Sequence, residues 1–132
     1  MQGLITVESH FGPKETMERL EADLKAQGMT IFARIDHSQL AAGAGMTLLP
    51  TVLIIFGNPR GGTPLMQANQ TIGIDLPLKA LVWQDASGKT SLSYNHAEWL
   101  AKRHDLTAVD KVVGTMNLAL GAFAAKAAGH KK

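Results

Sequence analysis

Asp36 and His37 stand side by side at the end of an apolar run. Asn58 sits between a glycine and a proline, Asp75 precedes Leu76-Pro77, and Tyr94 is the single tyrosine of the 132-residue chain. Asp36-His37 joins a carboxylate to an imidazole, and a histidine titrating near neutral pH can serve as acid, base or ligand. Adjacent strand residues face opposite ways, however, so a turn-forming Asp with a hydrogen-bonded His is the plainer account. Gly57-Asn58-Pro59 can bring backbone and an amide side chain close to a ligand, and Arg60-Gly61-Gly62 adds a cation for an anion. Asn before Pro equally makes a turn, and no phosphate-loop pattern surrounds it. Asp75 reads first as a structural turn residue and Tyr94 as a cross-strand packing ring, with a hydroxyl that can donate inside a pocket. If Asp36, His37, Asn58 and Asp75 converge, they form a polar cluster able to hold a water, a cation or the polar end of a small molecule.

Other chemistries lack their residues. His96 and His104 are eight apart where a zinc-binding helical pair prefers about four, and His10 and His130 stand alone, so no metal site is expected. With no cysteine, disulfides and thiolate chemistry are excluded, and a reducing compartment, the cytoplasm, is expected. No G-x-S-x-G elbow, secretory signal or cofactor motif is visible. Thirteen Lys and Arg against eleven Asp and Glu leave a formal charge of +2, with the surplus at Lys126, Lys131 and Lys132. That is a basic tail over residues 129 to 132, not the basic face with stacking aromatics that nucleic-acid binding needs. The uncharged part of the last helix is too short and polar to span a bilayer.

The elements that must hold these residues follow from periodicity. Residues 3 to 8 alternate as a half-buried strand, and Pro13 opens a helix to about Gln27 with Met17, Leu20 and Leu24 on one face. A second strand runs from Met29 to Asp36. Residues 38 to 45 are small and glycine-bearing and predict one helical turn, capped by Ser38, followed by a loop. Residues 51 to 56 form a continuous apolar run, predicted to be a buried central strand that stops at Gly57. Thr63 and Pro64 signal a short helix to Asn69. Leu78 to Tyr94 makes a hairpin around Asp85-Ala86-Ser87-Gly88. Asn95 with Glu98, and Thr107 with Asp110, read as caps of two further helices. On the last helix, Gly114, Leu118, Gly121, Ala125 and Ala128 form a smooth stripe suited to a dimer seam.

Four segments, DHSQLAAGAG (36 to 45), LLPTVLIIFGNPRGGTPLM (48 to 66), GIDLPLKALVWQD (73 to 85) and SYNHAEWLAKRH (93 to 104), together resemble the domain of unknown function 302 family over residues 6 to 106. The resemblance implies a β-α-β-β-β-β-α order similar to the TATA-box-binding-protein-like fold: an antiparallel sheet with helices on one face, commonly paired as a dimer. It implies no established activity, and a fold shared with a DNA-binding protein carries no DNA binding with it.

The sequence therefore predicts a single α+β domain over residues 1 to 128. The expected function is a homodimer that binds a small molecule, with Asp36, His37, Asn58, Asp75 and Tyr94 as candidate contacts and no cofactor. The alternatives are an acid/base hydrolase or isomerase using His37 with Asp36 or Asp75, and a pure protein-interaction module.

Overall fold

The computed structural model describes residues 1–130, and Lys131 and Lys132 of the basic tail lie outside it. Five strands, β1 (Leu4–Glu8), β2 (Thr30–Asp36), β3 (Thr51–Gly57), β4 (Leu78–Gln84) and β5 (Thr90–Asn95), form one antiparallel sheet in the order β1-β5-β4-β3-β2. Between and after them come α1 (Pro13–Ala26), α2 (His37–Gly43), α3 (Pro59–Ala68), a 3-10 turn (Gln70–Ile74), α4 (Ala97–Arg103) and α5 (Asp110–Ala128). The order of elements along the chain and the antiparallel sheet are the expected α+β arrangement with short extra helices.

Register explains the core. Phe56 pairs with Leu78, Ile54 with Ala80, Val52 with Val82, and Val82 with Leu92, so one face presents a continuous apolar surface to α1 and α5. Met17, Leu20 and Leu24 of α1 and Leu120, Phe123, Ala124 and Ala127 of α5 close over it. Phe56 and Phe123 meet edge to face with centroids 6.2 Å apart, a favoured aromatic geometry. A salt bridge from Lys126 to the buried Asp23 joins the two helices at 3.2 Å.

The expected buried central strand needs correcting. β4, not β3, occupies the middle of the sheet, and β3 is buried on one side only. Leu53 pairs with Leu81, which pairs with Ser93, on the face that carries no helix. There Trp83 donates from Nε1 to Ser93 Oγ at 2.9 Å, and Ser93 bonds Thr6 at 2.8 Å.

Helix starts also differ from expectation. α2 is capped by Asp36, whose carboxylate accepts from the Gln39 amide at 3.0 Å, while Ser38 donates its hydroxyl to that carboxylate at 2.6 Å. α3 begins at Pro59 under an Asn58 cap, leaving Pro64 inside the helix and Thr63 without a capping role. Asn95 remains in β5, so His96 takes the position before α4. Val109 takes that position before α5, and Thr107 caps neither helix. Near the amino terminus Gly3 adopts φ +77, and a Cβ there would fall 2.3 Å from the Trp99 ring.

Candidate functional site

β3 delivers the chain to Gly57, and the side chain of Asn58 then turns it into α3. Asn58 Oδ1 accepts from the Arg60 amide at 3.0 Å, and the Asn58 carbonyl accepts from the amides of Gly61 and Gly62 at 2.9 and 3.1 Å. Between α3 and α5 lies a cavity of about 610 Å³. Its walls come from three places: Met29 and Phe32 at the start of β2, α3 with Met66 and the segment Leu76 to Leu78, and the α5 face bearing Val112, Met116, Ala119 and Phe123. A register shift between Ile31 and Ala33 turns Phe32 out of the regular pairing, and Phe32 reaches the cavity from there. Glycine at 57, 61 and 62 leaves part of the wall as bare backbone. The polar lining consists of Asn58, Arg60, Thr63, Lys111 and Thr115, and no carboxylate among the described residues lines the cavity. Its volume falls in the range of small-molecule sites, roughly 300–1,000 Å³.

The five candidates do not converge. Asp36 pairs with Val52, whereas Leu78, just beyond Asp75, pairs with Phe56 at the other end of β3. From Val52 to Phe56 is roughly 13 Å of strand at about 3.3 Å per residue. Asp36 and His37 therefore stand at one end of the sheet, and Asn58 and Asp75 at the other. Only Asn58 lines the cavity. Asp36 is occupied by its cap, and the hydrogen bonds from the Ser38 hydroxyl and the Gln39 amide hold its carboxyl below the usual carboxylate range. His37 is exposed and, among the described residues, hydrogen-bonds to neither Asp36 nor Asp75. Tyr94 points its hydroxyl toward Gly121 of α5, and burial raises its pKa.

Asp75 belongs to a second cluster that the sequence did not bring into view. His104, which is buried, places Nε2 2.5 Å from Asp75 Oδ2 and Nδ1 2.9 Å from Thr71 Oγ1. Arg103 donates to both Asp75 oxygens at 2.9 and 2.8 Å, and Asn69 donates to the His104 carbonyl at 2.7 Å. A hydroxyl, an imidazole and a carboxylate in this order are the parts of a nucleophile triad. Here Arg103 neutralises the carboxylate, and neither Thr71 nor His104 lines the cavity. The cluster joins the 3-10 turn and the following loop to the end of α4. Among the described residues no three His, Asp or Glu side chains gather as a metal set would. In the sequence His104 stands eight residues from His96, and its carboxylate partner lies 29 residues upstream, beyond the reach of local spacing.

The described fold and the comparisons agree on the class. The model of the family "Domain of unknown function DUF302" matches residues 5–123, and the chain belongs to that family. The crystal structure of an uncharacterised conserved DUF302 protein from Bacillus stearothermophilus superposes with a TM-score of 0.86 at 23% identity, covering 96% of this chain and 99% of that one. The likeness is one of fold. Proteins named fluoride-specific ion channel FluC 1 from Brucella suis and Brucella abortus are 49% identical over 128 residues, 96% of this chain. The chain spans about half the length of these relatives, 50% and 47% respectively. Among the described residues no helix is long and apolar enough to cross a membrane.

Proposed function

We propose that the chain is a cytoplasmic, homodimeric small-molecule-binding protein whose site is the cavity between α3 and α5. The observation that carries the reading is the cavity itself: about 610 Å³, walled mainly by aliphatic, methionine and phenylalanine side chains, with a few polar groups from Asn58, Arg60 and Thr115. Pockets of this kind bind by removing apolar ligand surface from water and orient the ligand through the few polar groups. Of the residues first singled out, Asn58 is the contact this reading keeps, both through its side chain and by setting the start of α3.

The dimer part of the reading draws on α2 and the loop after it. Leu40, Met46, Leu48 and Leu49 are exposed on this arm, Leu40 to 64% and Met46 to 68%, and none of the α2 residues is buried. Together with the half-buried apolar side chains on the helix-free face of the sheet, these are apolar groups that a second copy could cover.

The acid/base alternative needs His37 beside a carboxylate in a cleft, and among the described residues His37 hydrogen-bonds to no carboxylate. The cavity reading is tested by titrating isotope-labelled protein with 1-octanol and following amide shifts. Saturable shifts at Gly61, Gly62 and Ala119 are expected, and Thr115→Trp, which fills the space from an exposed position, should abolish them. Unchanged spectra in the wild-type chain up to the solubility limit of the alcohol would remove the proposal.

A further inference from the structure

The walls of the cavity are apolar, but its charge is one-sided. Phe32, Met66, Leu76 and Met116 supply walls suited to a flexible hydrocarbon, while Arg60 and Lys111 line the same space from the first turns of α3 and α5. Neither cation has a carboxylate within salt-bridge distance among the described residues. Among the described residues no Asp or Glu lines the cavity to balance them. A neutral apolar ligand would leave both charges unused, and a cationic one would meet two like charges with nothing to offset them. An anion in the cavity is attracted to both positive groups, and its hydrocarbon can lie against the apolar walls.

We infer that the cavity takes an amphiphilic anion, a medium-length alkyl chain ending in a carboxylate. The hydrocarbon lies along the methionine and phenylalanine walls, and the carboxylate faces Arg60 and Lys111. This inference rests on the reading of the cavity as a small-molecule site and adds the class of molecule. Arginine can hold a carboxylate through two parallel N–H donors, whereas Lys111 contributes a mobile point charge, so Arg60 sets orientation and Lys111 adds attraction.

The test compares octanoate, 1-octanol, octylammonium and acetate on the full chain by amide shifts. Octanoate should saturate the amides of Gly61, Gly62 and Ala119 with an affinity about tenfold above that of 1-octanol, the difference a close charge pair contributes. Octylammonium should bind more weakly than 1-octanol, and acetate, a head without a tail, should leave the spectrum unchanged. Both cations are exposed, so the Arg60→Gln/Lys111→Gln variant should fold normally and should lower octanoate affinity to the level that the same variant shows for 1-octanol. Octanoate no tighter than 1-octanol, or octanoate unaffected in the double variant, overturns the anion class while the cavity still binds the alcohol. If neither octanoate nor 1-octanol perturbs these amides, the small-molecule reading itself fails along with it.

Discussion

A carboxylate just outside a helix can serve as a catalyst or as a cap, and at Asp36 the cap accounts for the hydrogen bonds it makes. Its Oδ1 receives the Ser38 hydroxyl and the Gln39 amide, and Ser38 Oγ in turn accepts from the Thr51 amide at 3.4 Å, tying together the two ends of the arm. Replacing a helix cap with alanine costs about 1 kcal/mol, so Asp36→Ala should lower the urea midpoint by a corresponding amount. The pH dependence is more telling. The hydrogen bonds favour the charged form and lower the folded pKa from 3.8. A depressed carboxylate contributes stability that is present above its unfolded pKa and is lost as pH falls through the folded value. Asp36→Asn keeps an oxygen for the cap but cannot titrate. Between about pH 5 and about pH 2 its stability should therefore fall less steeply than that of the wild type. Parallel pH profiles in urea melts would show that the cap carries no charge dependence. The residue types at 36, 37, 58, 75 and 94 were legible as polar candidates. What sequence could not show was which strand end each occupies, because that depends on pairing between segments far apart in the chain.

The element boundaries show where local rules reach and where they stop. Periodicity located all five strands and the longer helices, since burial of one face enforces the pattern along each segment. Caps were less legible. The segment NPRGGTP offers two successive helix starts, Asn58-Pro59 and Thr63-Pro64, and the first prevails because β3 ends directly against Asn58. At α4 the cap is supplied from another helix: Asn117 of α5 accepts from the Ala97 amide at 2.7 Å, and α4 has no side-chain cap of its own. No residue near α4 could have announced this. Ala97 is buried, so Asn117→Ala leaves a buried donor unpaired and should cost about 1–3 kcal/mol, whereas Asn117→Asp, which keeps the acceptor, should recover most of it. Chemical denaturation of the two variants decides the matter. A loss within about 0.5 kcal/mol for the alanine variant, the range of ordinary surface changes, would mean that the α4–α5 junction gains nothing from this bond. The cavity is also a product of junctions, formed where α3, α5 and the Leu76 to Leu78 segment meet, and so only its Gly57 to Gly62 edge stood out in the sequence as a place for ligand contacts.

At the scale of the molecule, the apolar run 51 to 56 explains both an error and an opportunity. A continuous run of this kind is the pattern of a strand buried on both faces, yet in one chain β3 has helices on one face only. The remaining apolar side chains, Leu53 and Ile55 with Leu81 and Trp83 on β4, lie half-buried beside Ile35 on an open face. The arm adds Leu40, Met46, Leu48 and Leu49. If a second copy covers these surfaces, the arm should be the part most sensitive to charge, because its side chains have no role in the chain's own core. Size-exclusion chromatography with light scattering at micromolar concentration should give the mass of two chains, near twice 14.1 kDa, for the wild type. Leu40→Asp together with Met46→Asp should shift that mass to one chain without altering the far-ultraviolet circular dichroism, since neither residue is buried. Burying an unpaired carboxylate at an apolar contact costs several kcal/mol, enough to move a micromolar dimer well past its midpoint. A wild-type mass of one chain would end the dimer reading. A dimer that survives both substitutions would place the interface away from the arm, on the sheet face or on the Gly114 and Leu118 side of α5, where Leu118 is also exposed.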